Sequence, residues 1–237
     1  MSNGWDESAQ AWIEDQGENG DFSRAFVLDR VMLDRVDIGR FSNALDVGCG
    51  EGRFSRMLRA KGIRATGIDP TEALLNEARR RDPDGDYKLG RAEELQFADG
   101  HFDLVVAYLS LIDIPDCRRA IAEMARVLRA GGTMLIANIN SFVSARADQS
   151  WVRSADGQYL HYPLDDYLAE RSMWVSWRSI RLQNWHRPLS FYMQLLLAEG
   201  LELTFFDEPA PHGGEPERAH RYRRVPWHHV MEWRKKE

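Results

Sequence analysis

The strongest constraint on the fold is a repeated alternation of short apolar runs with amphipathic segments between residues 44 and 137. Apolar positions recur at helical spacing from Phe54 to Leu58 and from Ile121 to Leu128. Strands joined by helices of this length pair in parallel through right-handed crossovers, so that helices cover both faces of the sheet. The sequence therefore predicts an α/β, doubly wound fold. The four predicted strands are Ala44–Val47, Ala65–Ile68, Phe102–Ala107 and Thr133–Ala137.

Segments on both sides of this alternation complete one predicted domain. Apolar side chains at helical spacing between residues 9 and 36 predict an N-terminal helical cap. After residue 140 the alternation stops until a helix that ends at Gly200, followed by strands at 201–206 and 227–233. The domain then divides into the cap (1–40), a central half (41–140), an insertion (141–188) and a C-terminal helix with strands (189–237). Seven aromatic residues lie in or at the end of this insertion: Trp151, Tyr159, Tyr162, Tyr167, Trp174, Trp177 and Trp185.

Charge and composition argue against several classes of protein. The 237 residues carry 31 Lys and Arg against 37 Asp and Glu, a net charge of −6. A nucleic acid, which needs a concentrated basic surface, is therefore not an expected partner. No apolar run approaches the roughly 20 residues that span a bilayer, no secretory signal is visible, and two cysteines form no disulfide framework. We expect a cytoplasmic protein without a membrane partner, as a monomer or homodimer.

A glycine-rich turn, Gly48–Gly52, separates the first predicted strand from a helix. Glycines let a ligand approach the backbone there, beside the unpaired N–H groups of the helix. Asp69 ends the next strand, at the spacing at which a carboxylate binds the ribose of a nucleoside. Alone, the turn could be a tight connection and Asp69 a turn former before Pro70. Together they predict a site for a nucleoside-containing cofactor, and Arg53, in place of the third glycine of the dinucleotide fingerprint, disfavours a pyrophosphate.

Five segments in this order resemble the class I S-adenosylmethionine-dependent methyltransferases, in particular the broad type 11 small-molecule group. They are Leu45–Ser55 (LDVGCGEGRFS), Gly67–Pro70, Gly90–Phe97, Phe102–Val105 and Ala125–Gly132. The resemblance extends over nearly the whole chain, and none of the motifs specifies a substrate. It implies a Rossmann-like sheet of seven strands, parallel except for an antiparallel last strand at 227–233. It also implies S-adenosylmethionine as the cofactor, bound by the central half.

Individual site residues follow from the same resemblance. Asp69 would bind the ribose, and the backbone N–H of Ala92 would face the adenine. Arg91 departs from the pattern, because many relatives have an acid there that accepts from the adenine amino group; Arg91 and Glu93 could instead form an exposed ion pair. The complete set of predicted cofactor contacts is Asp46, Gly48, Cys49, Gly50, Asp69, Pro70, Ala92, Glu93 and Tyr108.

Methyl transfer chiefly requires that the acceptor be held in line with the methyl group. A hydroxyl acceptor is helped by a general base, and His186 is the candidate because histidine titrates closest to neutral pH. His186 could equally bond a backbone carbonyl and order its turn. The strand ends at 108–110 and 138–140 carry no carboxylates, so we expect no catalytic metal.

Aromatic side chains are the candidates for the substrate pocket, since Trp and Tyr offer broad contact surfaces with a polar edge. Tyr162, Trp174 and Trp177 are the predicted substrate contacts, although the aromatics of the insertion could also form a small core or a dimer face. Trp5 and Trp12 either cover the cofactor as a lid or pack on the sheet.

The resulting hypothesis is transfer of a methyl group to oxygen, nitrogen or carbon of a small, aromatic or apolar metabolite. An RNA or protein methyltransferase is the first alternative and would need a wide basic cleft. A nucleotide-binding oxidoreductase and a non-catalytic cofactor-binding module are the others.

Overall fold

A computed structural model describes residues 3–36, 41–146 and 150–237. Residues 1–2 and 37–40 of the predicted cap and residues 147–149 of the predicted insertion lie outside this description. The helices are α1 (Trp5–Gln16), a π-helical segment (Arg24–Leu28), α2 (Asp29–Arg35), α3 (Arg53–Ala60), α4 (Glu72–Arg81), α5 (Cys117–Val127), α6 (Ser141–Ser144), α7 (Leu189–Ala198) and α8 (Pro216–Arg224). The strands are β1 (Asn43–Val47), β2 (Arg64–Asp69), β3 (Asp86–Leu89), β4 (Phe102–Tyr108), β5 (Leu128–Ile139), β6 (Val152–Arg153), β7 (Tyr159–His161), β8 (Arg171–Trp177), β9 (Ile180–His186), β10 (Leu201–Asp207) and β11 (His228–Lys235).

Seven strands form the central sheet in the order β10-β11-β5-β4-β1-β2-β3. Strands β1 to β5 pair in parallel, whereas β11 is antiparallel to both β5 and β10. The strand order reverses between β1 and β4, and open α/β sheets bind ligands beyond the carboxyl ends of the strands at such a point. The predicted doubly wound, Rossmann-like sheet with an antiparallel last strand is confirmed.

The sheet lies between two apolar layers because its central strands are buried on both faces. Every residue of β4 is buried. Val105 and Ala107 pack in the layer that contains Ile121 of α5, while Leu104 and Val106 pack in the layer formed with α2 and α3. The end of β4 is thus held rigidly from both sides, which fixes the position of the loop that follows it.

The chain between β5 and α7 forms two antiparallel ribbons, β6–β7 and β8–β9. The β8–β9 ribbon packs on α1 through an apolar cluster that includes Ile180, Leu182 and Trp12. The backbone of Arg181 exchanges two hydrogen bonds with Ser8 Oγ, of 3.0 and 3.1 Å. The ribbon and α1 therefore form one unit. No helix within the described ranges combines the length and apolarity needed to cross a membrane.

Candidate cofactor and acceptor site

A pocket lies at the carboxyl edge of the sheet, with an empty volume of about 1060 Å3 that includes solvent at its mouth. The turns after β1, β2 and β4 form one side, and α1 with the π-helical segment forms the other. All nine residues that the sequence predicts as cofactor contacts line this pocket: Asp46, Gly48, Cys49, Gly50, Asp69, Pro70, Ala92, Glu93 and Tyr108. The fold thus brings together positions that span more than 60 residues of sequence.

The glycine turn after β1 provides a backbone wall without side chains. Gly48 and Gly50 adopt positive φ angles of 74° and 56°, which L side chains rarely adopt. A Cβ at Gly50 would meet no atom within 4 Å, and Gly50 lines the pocket. The space beside Gly50 is therefore open to a ligand that approaches the backbone closely.

Asp69 is held at the end of β2 by two backbone donors. Its Oδ2 accepts from the Gly50 N–H and its Oδ1 from the Thr71 N–H, both at 2.9 Å. Burial raises the pKa of Asp69, an effect that these hydrogen bonds oppose. The Thr71 side chain also hydrogen-bonds to this carboxylate. An ionised carboxylate has about four acceptor sites, so one site remains for a hydroxyl of a bound ribose.

Asp46 lies deeper, at the end of β1, where only 1% of the residue is exposed. Ser55 Oγ donates to its Oδ2 at 2.7 Å. Burial raises the pKa of Asp46 to about 6. The carboxyl is therefore largely ionised at neutral pH and suited to a cationic group in the pocket.

The adenine side of the predicted site contains an ion pair. Arg91 donates to Glu93 Oε1 at 2.9 Å, and the Arg91 side chain is 58% exposed. The exposed ion pair that the sequence left open does form, while both residues also line the pocket. Glu93 keeps a second carboxylate oxygen that Arg91 does not contact in this pair.

The sequence analysis missed several polar residues of the pocket, among them Gln16, Arg24 and Asp113. Gln16 is 4% exposed, and its Oε1 accepts from the Asp21 N–H at 3.2 Å. Its Nε2 has no partner among the described residues. A buried donor without a partner is costly unless a ligand accepts from it, so Gln16 fits a polar ligand in this pocket.

Arg24 lies between two aromatic rings of the pocket. Its guanidinium carbon is 5.0 Å from the ring centroid of Trp12 and 5.9 Å from that of Tyr108. Tyr108 is itself fixed, because its hydroxyl donates to Asp29 Oδ1 at 2.8 Å. These residues come from the cap and from β4, and no local sequence motif signals their proximity.

The structure does not place His186 in the pocket, contrary to the prediction of a general base there. His186 is fully buried, with Nδ1 2.9 Å from Ser144 Oγ and Nε2 2.7 Å from the Tyr167 carbonyl oxygen. Burial lowers the pKa of His186. With both ring nitrogens engaged, the geometry corresponds to the other possibility, a histidine that orders its own turn.

The predicted substrate contacts Tyr162, Trp174 and Trp177 also lie outside the pocket lining. Tyr162 donates to the Val143 carbonyl at 3.1 Å and packs among other aromatics. Trp174 is 42% exposed and covered by Arg181, while Trp177 packs its edge against Trp12. Trp174 and Trp177 belong to β8 and Tyr162 follows β7, whereas Trp5 and Trp12 of α1 line the pocket.

Among the described residues, no group of three or more His, Cys, Asp or Glu side chains could hold a metal ion. Arg53, at the third-glycine position of the dinucleotide fingerprint, is 8% exposed and donates to both Asp29 and the Asn19 carbonyl. Its guanidinium joins the cap to α3.

Part of this chain is similar in sequence to known proteins. Residues 45–136 match the model of a methyltransferase domain. The malonyl-[acyl-carrier protein] O-methyltransferase of Serratia marcescens is 32% identical over 144 residues, which cover 59% of this chain and 56% of that protein. The demethylmenaquinone methyltransferase of Renibacterium salmoninarum is 32% identical over 111 residues, 47% of each chain. The chain thus spans about half the length of the curated relatives it matches.

Solved structures share the fold over more of the chain. An S-adenosylmethionine-dependent methyltransferase from Mesorhizobium loti superposes with a TM-score of 0.77 and 21% identity, covering 92% of this chain and all of that one. A Listeria monocytogenes protein described in the same terms gives a TM-score of 0.78 at 24% identity, covering 88% and 97% of the two chains. The chain therefore contains a region that matches a methyltransferase domain, and it shares its fold with solved methyltransferase structures.

Proposed function

We propose that the protein transfers a methyl group from S-adenosylmethionine to a small-molecule acceptor. The observation that carries the proposal is the pocket itself, in which the open backbone at Gly50 and the anchored carboxylate of Asp69 lie side by side. Asp69 has an acceptor site left for a ribose hydroxyl, and the ionised Asp46 favours a cationic group. S-adenosylmethionine, when bound, supplies an electrophilic methyl group on a positively charged sulfur.

The part of the pocket beyond the predicted cofactor contacts supports a flat or apolar acceptor. Besides the predicted cofactor contacts, Trp5 and Trp12 of α1 and Ile114 line the pocket. Indole rings provide large, rigid contact surfaces, while Gln16 and Arg24 offer donors for polar atoms of a ligand. These side chains orient the acceptor and exclude water, which is most of what an in-line displacement requires.

The alternatives lack comparable support. A net charge of −6 and a pocket narrowed by α1 do not favour RNA, which binds through basic surfaces. A dinucleotide oxidoreductase would need a glycine where Arg53 lies, and Arg53 is committed to Asp29. Two of the relatives are named for malonyl-[acyl-carrier protein] and for demethylmenaquinone, so the proposal includes a small acceptor presented on a carrier protein.

Label transfer tests this proposal and its first alternative together. The protein is incubated with S-adenosylmethionine carrying an isotopic methyl group and with a bacterial extract separated into a low-molecular-weight fraction, RNA and protein. We expect label in the low-molecular-weight fraction. Label in RNA or bulk protein alone would favour the alternative, and no transfer to any fraction would contradict methyltransferase activity. Gly48→Ala protein, which should not bind the cofactor, is the control.

A further inference from the structure

The loop between β4 and α5 carries a carboxyl group, Asp113, into the lining of the pocket. This loop begins with Leu109, whose φ of 58° is unusual for a bulky residue. Strained backbone of this kind persists only where the surroundings fix it. Here, residues at the C-terminal end of β9 and directly after it hold the loop through hydrogen bonds.

Three residues at the end of the ribbon, Asn184, Trp185 and Arg187, donate hydrogen bonds to the loop. The Trp185 N–H donates to the Ile112 carbonyl at 2.7 Å. Arg187, only 1% exposed, donates to the carbonyls of Leu111, Ile114 and Pro115 at 3.2, 2.9 and 2.8 Å. A buried guanidinium that satisfies three loop carbonyls makes the loop rigid, because losing any one of them leaves a buried polar group unpaired.

Asn184, the third of these residues, contacts the Asp113 carboxyl group itself. Asn184, 7% exposed, donates from Nδ2 to Asp113 Oδ1. Asp113 Oδ2 accepts no hydrogen bond from any residue that the structure describes, and the residue lines the pocket. One oxygen is therefore anchored, and the other is available to a ligand.

The electrostatics of the pocket suit proton transfer near neutral pH. Burial raises the pKa of Asp113 to about 8, and the negative charge of Asp69 at the end of β2 also raises it. The Asn184 hydrogen bond and the positive charge of Arg24 in the π-helical segment act in the opposite direction and lower this pKa. A general acid or base is most effective when its pKa lies near the working pH. Asp46, whose pKa is about 6, is already ionised at pH 7.5.

We propose that Asp113 is the catalytic base of the reaction and faces the methyl group to be transferred, with Asn184 as its positioning residue. The inference rests on the proposed function. As the lone pair of the acceptor oxygen or nitrogen forms its bond to the methyl carbon, the electron pair of the carbon–sulfur bond passes to the sulfur. The proton of the acceptor passes to Asp113 Oδ2, which later releases it to solvent.

Calorimetry tests the inference without knowledge of the acceptor. S-adenosylmethionine and S-adenosylhomocysteine are titrated into the whole protein at pH 7.5, in two buffers of different ionisation enthalpy, so that protons released on binding can be counted. The positive charge of the sulfonium lowers the pKa of the nearby Asp113 carboxyl, so that a protonated Asp113 releases its proton to solvent. A neutral thioether has no such effect. We expect the wild type to release more protons with the sulfonium compound than with the thioether.

Variants assign this excess to one residue. Asp113→Asn, which keeps the size and the anchored oxygen, should remove the excess and leave the affinity for S-adenosylhomocysteine within about threefold, 0.7 kcal/mol. Asn184→Leu should move the pH at which half of the excess proton is released upward, which a purely structural role would not do. Asp116→Asn is the matched control, because Asp116 caps α5 at Arg119 N–H and does not line the pocket.

Three results would overturn the inference: equal proton release for both ligands by the wild type, an excess that survives in Asp113→Asn, or a tenfold loss of thioether affinity in that variant. The last would place Asp113 among the cofactor contacts. If the wild type binds neither ligand, the proposed function itself fails, which is a separate result. With an acceptor in hand, turnover of Asp113→Asn should fall by about 10²–10⁴-fold.

Discussion

Gly48 lies so close to Ser110 that a Cβ on Gly48 would be 2.5 Å from the Ser110 Cβ. Ser110 is fixed in turn, since its Oγ donates to the Val47 carbonyl at 2.6 Å. The backbone of Gly48, in the turn after β1, therefore packs against the side chain of Ser110, in the turn after β4. Both residues line the pocket. Gly48 also has a φ of 74°, so both space and conformation require glycine.

Gly48→Ala should destabilise the protein and abolish binding of S-adenosylhomocysteine, because the loop must shift to relieve the contact with Ser110. Gly62→Ala is the control, since Gly62 has a similar φ of 83° but an open environment outside the pocket. It should cost only the strain of the left-handed conformation, about 1–2 kcal/mol, and leave binding intact. Thermal unfolding and calorimetric titration check both; equal binding by the two variants would contradict the account.

Asp69→Asn should weaken binding of S-adenosylhomocysteine by about tenfold or more, 1.4 kcal/mol. An amide has one oxygen, which cannot serve the Gly50 and Thr71 N–H groups and a ribose hydroxyl together. Asp86→Asn, at the opposite end of the sheet where Asp86 bonds Thr66, should bind like the wild type. Unchanged affinity in Asp69→Asn would exclude Asp69 as the ribose ligand.

His186→Ala should lower the thermal midpoint without changing the pH dependence of turnover. The substitution leaves a buried cavity and removes the partners of Ser144 Oγ and the Tyr167 carbonyl, a loss of about 1–3 kcal/mol. Exposed His220 provides the control, and His220→Ala should change neither quantity. A shifted pH profile in His186→Ala would restore His186 as a candidate base.

His229 should make the protein sensitive to acid. Burial lowers the pKa of His229 to about 4, below the usual 6.5. Between pH 4 and pH 6.5, His229 is therefore protonated in the unfolded chain but neutral in the folded chain. The free energy of unfolding then falls as pH decreases from about 6.5 to 4, by about 1.4 kcal/mol per pH unit for this residue. His229→Phe, which can still stack on Phe206, should reduce that slope in denaturant titrations; an unchanged slope would contradict the assignment.

Local signals were sufficient for the fold and for the nine predicted cofactor contacts to be found together in one pocket. The glycine turn at 48–52 and Asp69 are short motifs whose spacing determines where they lie in a parallel sheet, and the apolar runs of β1, β4 and β5 predict buried strands. The same signals did not reach Asp113 and Asn184, which are 71 residues apart and meet only through packing of the β8–β9 ribbon.

The incorrect expectation for His186 has a physical cause. Its position before α7 correctly indicated the ligand edge of the sheet, but side chains of a strand alternate between faces. In β9, Asn184 and His186 face inward with Leu182, and Trp185 between them faces the other way. The sequence does not show that the inward-facing His186 side chain contacts Ser144 of α6 rather than the pocket. Likewise, Trp174 has the composition of a ligand contact but lies on the outer face of β8.

The most direct test of the central claim is calorimetric titration of the whole protein with S-adenosylhomocysteine, and separately with NADH, alongside Gly48→Ala. The account predicts saturable binding of one S-adenosylhomocysteine per chain, no binding of NADH, and no binding of either by Gly48→Ala. Saturable binding of NADH with no response to S-adenosylhomocysteine would contradict it.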